Sequence, residues 1–245
     1  MKTTVSPMMR WGDCSAEWRK SERREEMKTT EKKVLQPLQA TTTLPANYRR
    51  QASLDLSKSS KAVVGAIVSG IVLLITVGWS FLQFTNLVRP TALDAMGFHD
   101  LLTITPNGGA SITIPFQVPL IALVLVMLIH ELVHGLFYWW FAGQRPTFGI
   151  KGLGVYVAAP SEVYFPRNQY LVVGIAPLVL LTLVGLLLVT IVPVALVPIL
   201  ILFVAFNAAG AAGDLLMVAR LLSYSPDTLM QDNDSGVIVY GPEYS

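Results

Sequence analysis

Charge and cysteine are both scarce in this chain. Asp, Glu, Lys and Arg make up 14% of its 245 residues, and Cys14 is its one cysteine. A single thiol excludes a disulfide framework and a cysteine-based metal site within one chain. The charge that exists is uneven: most of the Lys and Arg fall in the first sixty residues, and the rest of the chain is nearly neutral. The N-terminus shows no apolar h-region, so no cleavable signal peptide is expected.

Apolar residues fill that space. They account for 53% of the chain, and the mean hydropathy is +0.54. Runs of about twenty or more apolar residues point to an integral membrane protein with several spans. The expected fold is mainly α and polytopic. It has about four transmembrane helices, a small β-hairpin beside the active site and a disordered N-terminal tail.

Residues 1 to about 61 carry too little apolar surface to build a core, so a disordered or weakly helical tail is expected there. Met-Lys-Thr-Thr occurs at residue 1 and again at Met27, which leaves the start site open. Span one is expected from about Ala62 to Phe84. Arg49, Arg50, Lys58 and Lys61 precede it and place that end in the cytoplasm. The loop to Phe116 suits the external side, with a hairpin pairing Leu101–Thr105 and Ser111–Ile114 around a turn at Pro106–Gly109. His99, on this loop, reads as an ordinary surface histidine.

Span two covers about Pro119 to Ala142 and ends in Phe137, Tyr138, Trp139, Trp140 and Phe141, an aromatic belt at the cytoplasmic boundary. From Phe148 to Ala158, with Pro160-Ser161 as a turn and Glu162 to Phe165 returning, a β-hairpin is expected. It is either a plain connector or an exposed strand edge onto which an extended peptide could add. The apolar run from Leu171 to Phe206 is too long for one crossing and should break at Pro193 to Pro198, giving spans three and four. Beyond Ser223 the chain is polar and acidic, with a turn at Gln231 to Gly236 and a short strand, Val237 to Tyr240. Domains are therefore drawn at 1–61, 62–222 and 223–245, in a multi-pass protein of the plasma membrane with both termini cytoplasmic.

The chemistry concentrates at residues 130–134, His-Glu-Leu-Val-His, inside span two. Positions four apart share a helix face, so His130 and His134 can offer two imidazole nitrogens to one metal ion. Glu131, just round the helix, can hold a water without being a ligand. An acidic side chain at mid-membrane costs roughly 2.5–3.5 kcal/mol, so a partner is required. Counting 1.5 Å per residue puts His134 roughly 10–15 Å below the surface and Asp214 of span four roughly 9 Å deep on the same side. Asp214 is the expected third ligand; the alternative is an interfacial pair with Arg220. Three ligands leave the fourth zinc position open, which marks a catalytic site, with Glu131 as acid/base. Asn207 is expected either as an additional donor to the oxyanion or in a helix–helix hydrogen bond.

His-Glu-Leu-Val-His-Gly-Leu-Phe-Tyr-Trp-Trp-Phe, then a hairpin, an Ala-Pro-containing span and Asn-Ala-Ala-Gly-Ala-Ala-Gly-Asp together resemble the putative zincin peptidase family. That family of polytopic membrane proteins is distantly similar to site-2 proteases. The resemblance covers about Leu44 to Tyr240. It implies a zinc-dependent membrane peptidase with one Zn²⁺ on His130, His134 and Asp214, and Glu131 as catalytic acid/base. Site-2 proteases carry Leu-Asp-Gly at the third ligand, whereas Gly213 precedes Asp214 here. The expected partners are the lipid bilayer and a protein or peptide substrate, bound by strand addition at 148–165, and no nucleic acid. The alternatives are a metal-binding scaffold or regulator without hydrolysis, and a transporter.

Overall fold

In an apolar surrounding every backbone polar group must be closed internally, which makes a helix the default for a long apolar run. Among the described residues, four helical segments are long and apolar enough to cross a membrane. The computed structural model describes residues 39–95, 102–104, 110–112, 117–151, 154–233 and 236–243, all within one unit, Gln39–Ser245. Most of the expected N-terminal tail, His99 and the turn at Pro106–Gly109 lie outside the described residues.

Helix α1 spans Ser60–Val88, with the Ser59 hydroxyl accepting from the Ala62 N–H at its start. A short α2 (Pro90–Ala95) follows. Strands β2 (Leu102–Ile104) and β3 (Ala110–Ile112) pair antiparallel, Leu102 opposite Ile112, as expected of a hairpin there. Helix α3 (Gln117–Ala142) carries the His-Glu-Leu-Val-His stretch, and α4 spans Arg167–Leu188. The long apolar run then breaks where its prolines fall. A single 3-10 turn, Val194–Leu196, precedes α5 (Val197–Gly210), and Pro198 sits in the first turn of α5, where its missing N–H costs nothing. Span four is not one smooth helix: α5 ends at Gly210 and α6 (Ala212–Leu221) continues after Ala211.

Helix α1 packs on α5 and α6, α3 on α4 and α5, and α4 on α5 and α6. Where α4 meets α5, a Cβ at Gly185 would stand 2.4 Å from Val204 Cγ2, so the two backbones can approach this closely only over glycine. At the far end, the Arg89 guanidinium donates to the carbonyls of Val189 and Val192, tying α1 to the end of α4. The outer face of α1 is another matter. Ile67, Ile71, Ile75 and Trp79 are each more than half exposed, an apolar surface larger than a water-soluble monomer carries.

The region between α3 and α4 corrects one expectation. Strand β4 (Thr147–Lys151) pairs with β5 (Gly154–Ala158), Thr147 opposite Ala158 and Lys151 opposite Gly154. The hairpin is therefore complete by Ala158, and Glu162 to Phe165 do not return onto it. The register runs from Thr147–Ala158 to Lys151–Gly154, whereas Pro160 has no N–H for a ladder. Phe165 and Pro166 instead form β6, which pairs with β7 (Leu229–Asn233).

A four-stranded antiparallel sheet results, in the order β1 (Tyr48–Leu54), β8 (Gly236–Pro242), β7, β6. Residues 48–54, read from the sequence as polar tail, form β1 and pair with β8 (Gly236–Pro242), with an irregularity between Arg50 and Ala52. Strand β8 alternates, burying Val237 and Val239. These join Phe165, Met230 and Leu221 with Tyr138, Tyr170 and Val173 in one core that seats the sheet on the ends of α3, α4 and α6.

Candidate metal centre

His130 and His134 lie one helical turn apart on α3, on the face turned toward α4 and α5. Both are buried, each 8% exposed. Their ring centroids are 4.9 Å apart, in a T-shaped arrangement. Asp214 enters from the first turn of α6, and its Oδ2 lies 3.1 Å from His130 Nε2 and 3.5 Å from His134 Nε2. The three side chains form a group whose candidate donor atoms all fall within 4.8 Å of one another. The carboxylate thus meets the paired imidazoles, not Arg220.

The other ring nitrogens settle the tautomers. His130 Nδ1 is 2.9 Å from Asn207 Oδ1, and His134 Nδ1 is 3.0 Å from the carbonyl oxygen of Val173. Both oxygens only accept, so each Nδ1 carries the proton and donates it. In a neutral imidazole the lone pair is then on Nε2, and two lone pairs and a carboxylate oxygen converge on one buried point. Acceptors gathered without a donor are costly; a shared cation removes the conflict. Zinc ligand bonds of about 2.0–2.1 Å in a tetrahedron separate their donors by roughly 3.3–3.4 Å. The two carboxylate–imidazole separations, 3.1 and 3.5 Å, bracket that value, and all three donors lie within 4.8 Å of one another. This donor set fits a zinc ion.

Glu131, half-buried beside the pair, is not part of this group. Its Oε2 accepts a hydrogen bond of 2.9 Å from the Val157 N–H of β5. The N–H of Val157 therefore points out of the β4–β5 ladder, and the outer edge of β5 faces the site. Asn207 is fully buried, with Oδ1 on His130 and Nδ2 donating to the Pro177 carbonyl at 3.1 Å. Two cavities, of about 320 and 370 Å³, meet at Glu131 and Asp214. One runs between α3 and α5 past Met127 and Phe206. The other leads past Tyr138, Tyr170 and Asp232 toward the sheet.

Residues 123–229 match the model of a family described as "Putative zincin peptidase". The matched segment is just under half of the chain, and it contains His130, Glu131, His134, the β4–β5 hairpin, Asn207 and Asp214. The description of that family is of a zinc-dependent peptidase. No curated protein and no solved structure matches this chain.

Sequence reasoning missed several parts of this site. Tyr138 was expected in the aromatic belt, yet it packs inward, 5.4 Å from the Phe165 ring and 6.1 Å from that of Tyr170. Asp232 of β7 accepts from the Ala159 N–H at 3.0 Å and lines the second cavity; only a long-range strand pairing brings it there. The Val173 carbonyl and the Val157 N–H are backbone groups, which side-chain patterns do not reveal. Pro177, in the middle of an apolar run, was the one available signal for the first of these.

Proposed function

We propose that the protein is a zinc-dependent, membrane-embedded peptidase that hydrolyses peptide bonds of membrane or membrane-proximal proteins. The convergence of His130 Nε2, His134 Nε2 and Asp214 Oδ2 on one buried point carries this reading. A zinc ion held by these three would polarise a substrate carbonyl and bring a water toward a pKa of about 7.

Glu131 takes the proton of the attacking water and passes it to the leaving amine. The Val157 N–H anchors Oε2 of that carboxylate, which leaves Oε1 for proton transfer. Asn207, with both ends of its amide engaged, serves His130 and not the oxyanion. An extended substrate adds along the outer edge of β5 next to the Val157 N–H that Glu131 holds, where main-chain hydrogen bonds set the scissile carbonyl beside Glu131. The four apolar spans and the exposed face of α1 support placement in a bilayer. The basic residues flanking α1 support cytoplasmic termini, and the plasma membrane is the proposed location.

The test is Glu131→Gln in purified protein. Zinc should stay bound while peptide hydrolysis falls by about 10²–10⁴-fold. Hydrolysis at the wild-type rate would overturn the mechanism, and no hydrolysis by either form would favour a metal-binding scaffold.

A further inference from the structure

Proline in a helix interior leaves a carbonyl without its partner. In α4 the N–H that would bond the Val173 carbonyl belongs to residue 177, and residue 177 is proline. That carbonyl is buried in the span, away from water, and needs another donor. The donor is His134: its Nδ1 lies 3.0 Å from Val173 O. The carbonyl of Pro177 itself accepts from Asn207 Nδ2, and Asn207 Oδ1 accepts from His130 Nδ1. One turn of α4 therefore touches both imidazoles, one directly and one through Asn207.

We propose that Pro177 is a positioning residue for the metal site: by lacking an N–H it leaves the Val173 carbonyl open to His134 Nδ1–H and so aims His134 Nε2 at the Asp214 carboxylate. Any other residue at 177 would supply an N–H four residues along the helix from that carbonyl, in the ordinary helical geometry. His134 would then compete for its partner with an intrahelical bond, and its ring would lose its orientation. Partners of this kind fix both the tautomer and the direction of a ligating imidazole. The helix carries an otherwise unfavourable proline, and the imidazole gains a carbonyl fixed in a rigid element.

This inference rests on the zinc reading above and deepens it. Its test compares wild type, Pro177→Ala and His134→Ala by zinc titration against a competing chelator, alongside the thermal midpoint of each zinc-free protein. Pro177→Ala should weaken zinc binding by roughly 10–100-fold, the range for loss of an outer-shell partner. Its zinc-free midpoint should be unchanged or raised, because alanine suits a helix interior better than proline. Wild-type zinc affinity in Pro177→Ala, with zinc lost in His134→Ala, would overturn this inference and leave the zinc site standing. A lowered zinc-free midpoint in Pro177→Ala would also overturn it, since the proline would then serve packing. Wild-type affinity in His134→Ala would remove the zinc reading itself, and this inference with it.

Discussion

Asp214 Oδ2 stands 3.1 Å from His130 Nε2, although 84 residues of chain separate them. Two helices must hold their register against each other for that contact to exist, and α3 and α6 do so through their shared packing on α4 and α5. If a zinc ion ties them, it ties the fold as well. Zinc at about a thousand times its dissociation constant should stabilise the protein by roughly 4 kcal/mol. The check is a thermal melt with zinc and with excess chelator, which should reverse the gain; coincident melts would show that the contact is an ordinary polar cluster.

Asn207→Ala removes the acceptor of the His130 Nδ1–H and the donor to the Pro177 carbonyl in one change. Leaving buried polar groups unmatched costs about 1–3 kcal/mol each. Zinc affinity should fall roughly 10–100-fold. A donor to the oxyanion would behave differently, losing about 10²–10³ in kcat with zinc affinity intact. Measuring zinc affinity and kcat on the same preparation separates the two roles.

Val157→Pro deletes the N–H that anchors Glu131 and spares the β4–β5 ladder, because that N–H points away from β4. Proline is tolerated at such edge positions. Bound zinc should remain at the wild-type level while hydrolysis drops by about tenfold or more. Unchanged hydrolysis would mean that Glu131 is oriented by something other than β5.

Gly185→Ala tests the packing that holds the bundle together. The added methyl would meet Val204 Cγ2 at 2.4 Å, and a valine has little rotamer freedom with which to yield. Overpacking of this kind costs about 1–3 kcal/mol, read as a lowered thermal midpoint.

Sequence patterning carried the spans and their breaks because those depend on local composition: Pro193 and Pro198 end one helix and start the next wherever they are placed. It brought His130 and His134 together because four residues of helix do so without help from the rest of the chain. Asp214 was legible for a related reason, as an acidic residue at a depth that demands a partner. The sheet was not legible. β1 has only one buried side chain, Tyr48, and a register irregularity, and its partner lies almost two hundred residues away. The hairpin was placed correctly beside the site but misdrawn in extent, because Pro160-Ser161 reads as a turn as readily as the glycines at 152 and 154. Of the two groups that orient the histidines, one is a side chain, Asn207, and the other is the Val173 carbonyl, whose availability depends on what residue 177 lacks.

The most direct measurement is the zinc content of the purified protein in wild-type form and as Asp214→Ala. One zinc per chain is expected in the first and a large loss in the second, with the zinc-free midpoint of Asp214→Ala close to that of the zinc-free wild type. Zinc held at wild-type stoichiometry and affinity by Asp214→Ala would contradict the three-ligand site.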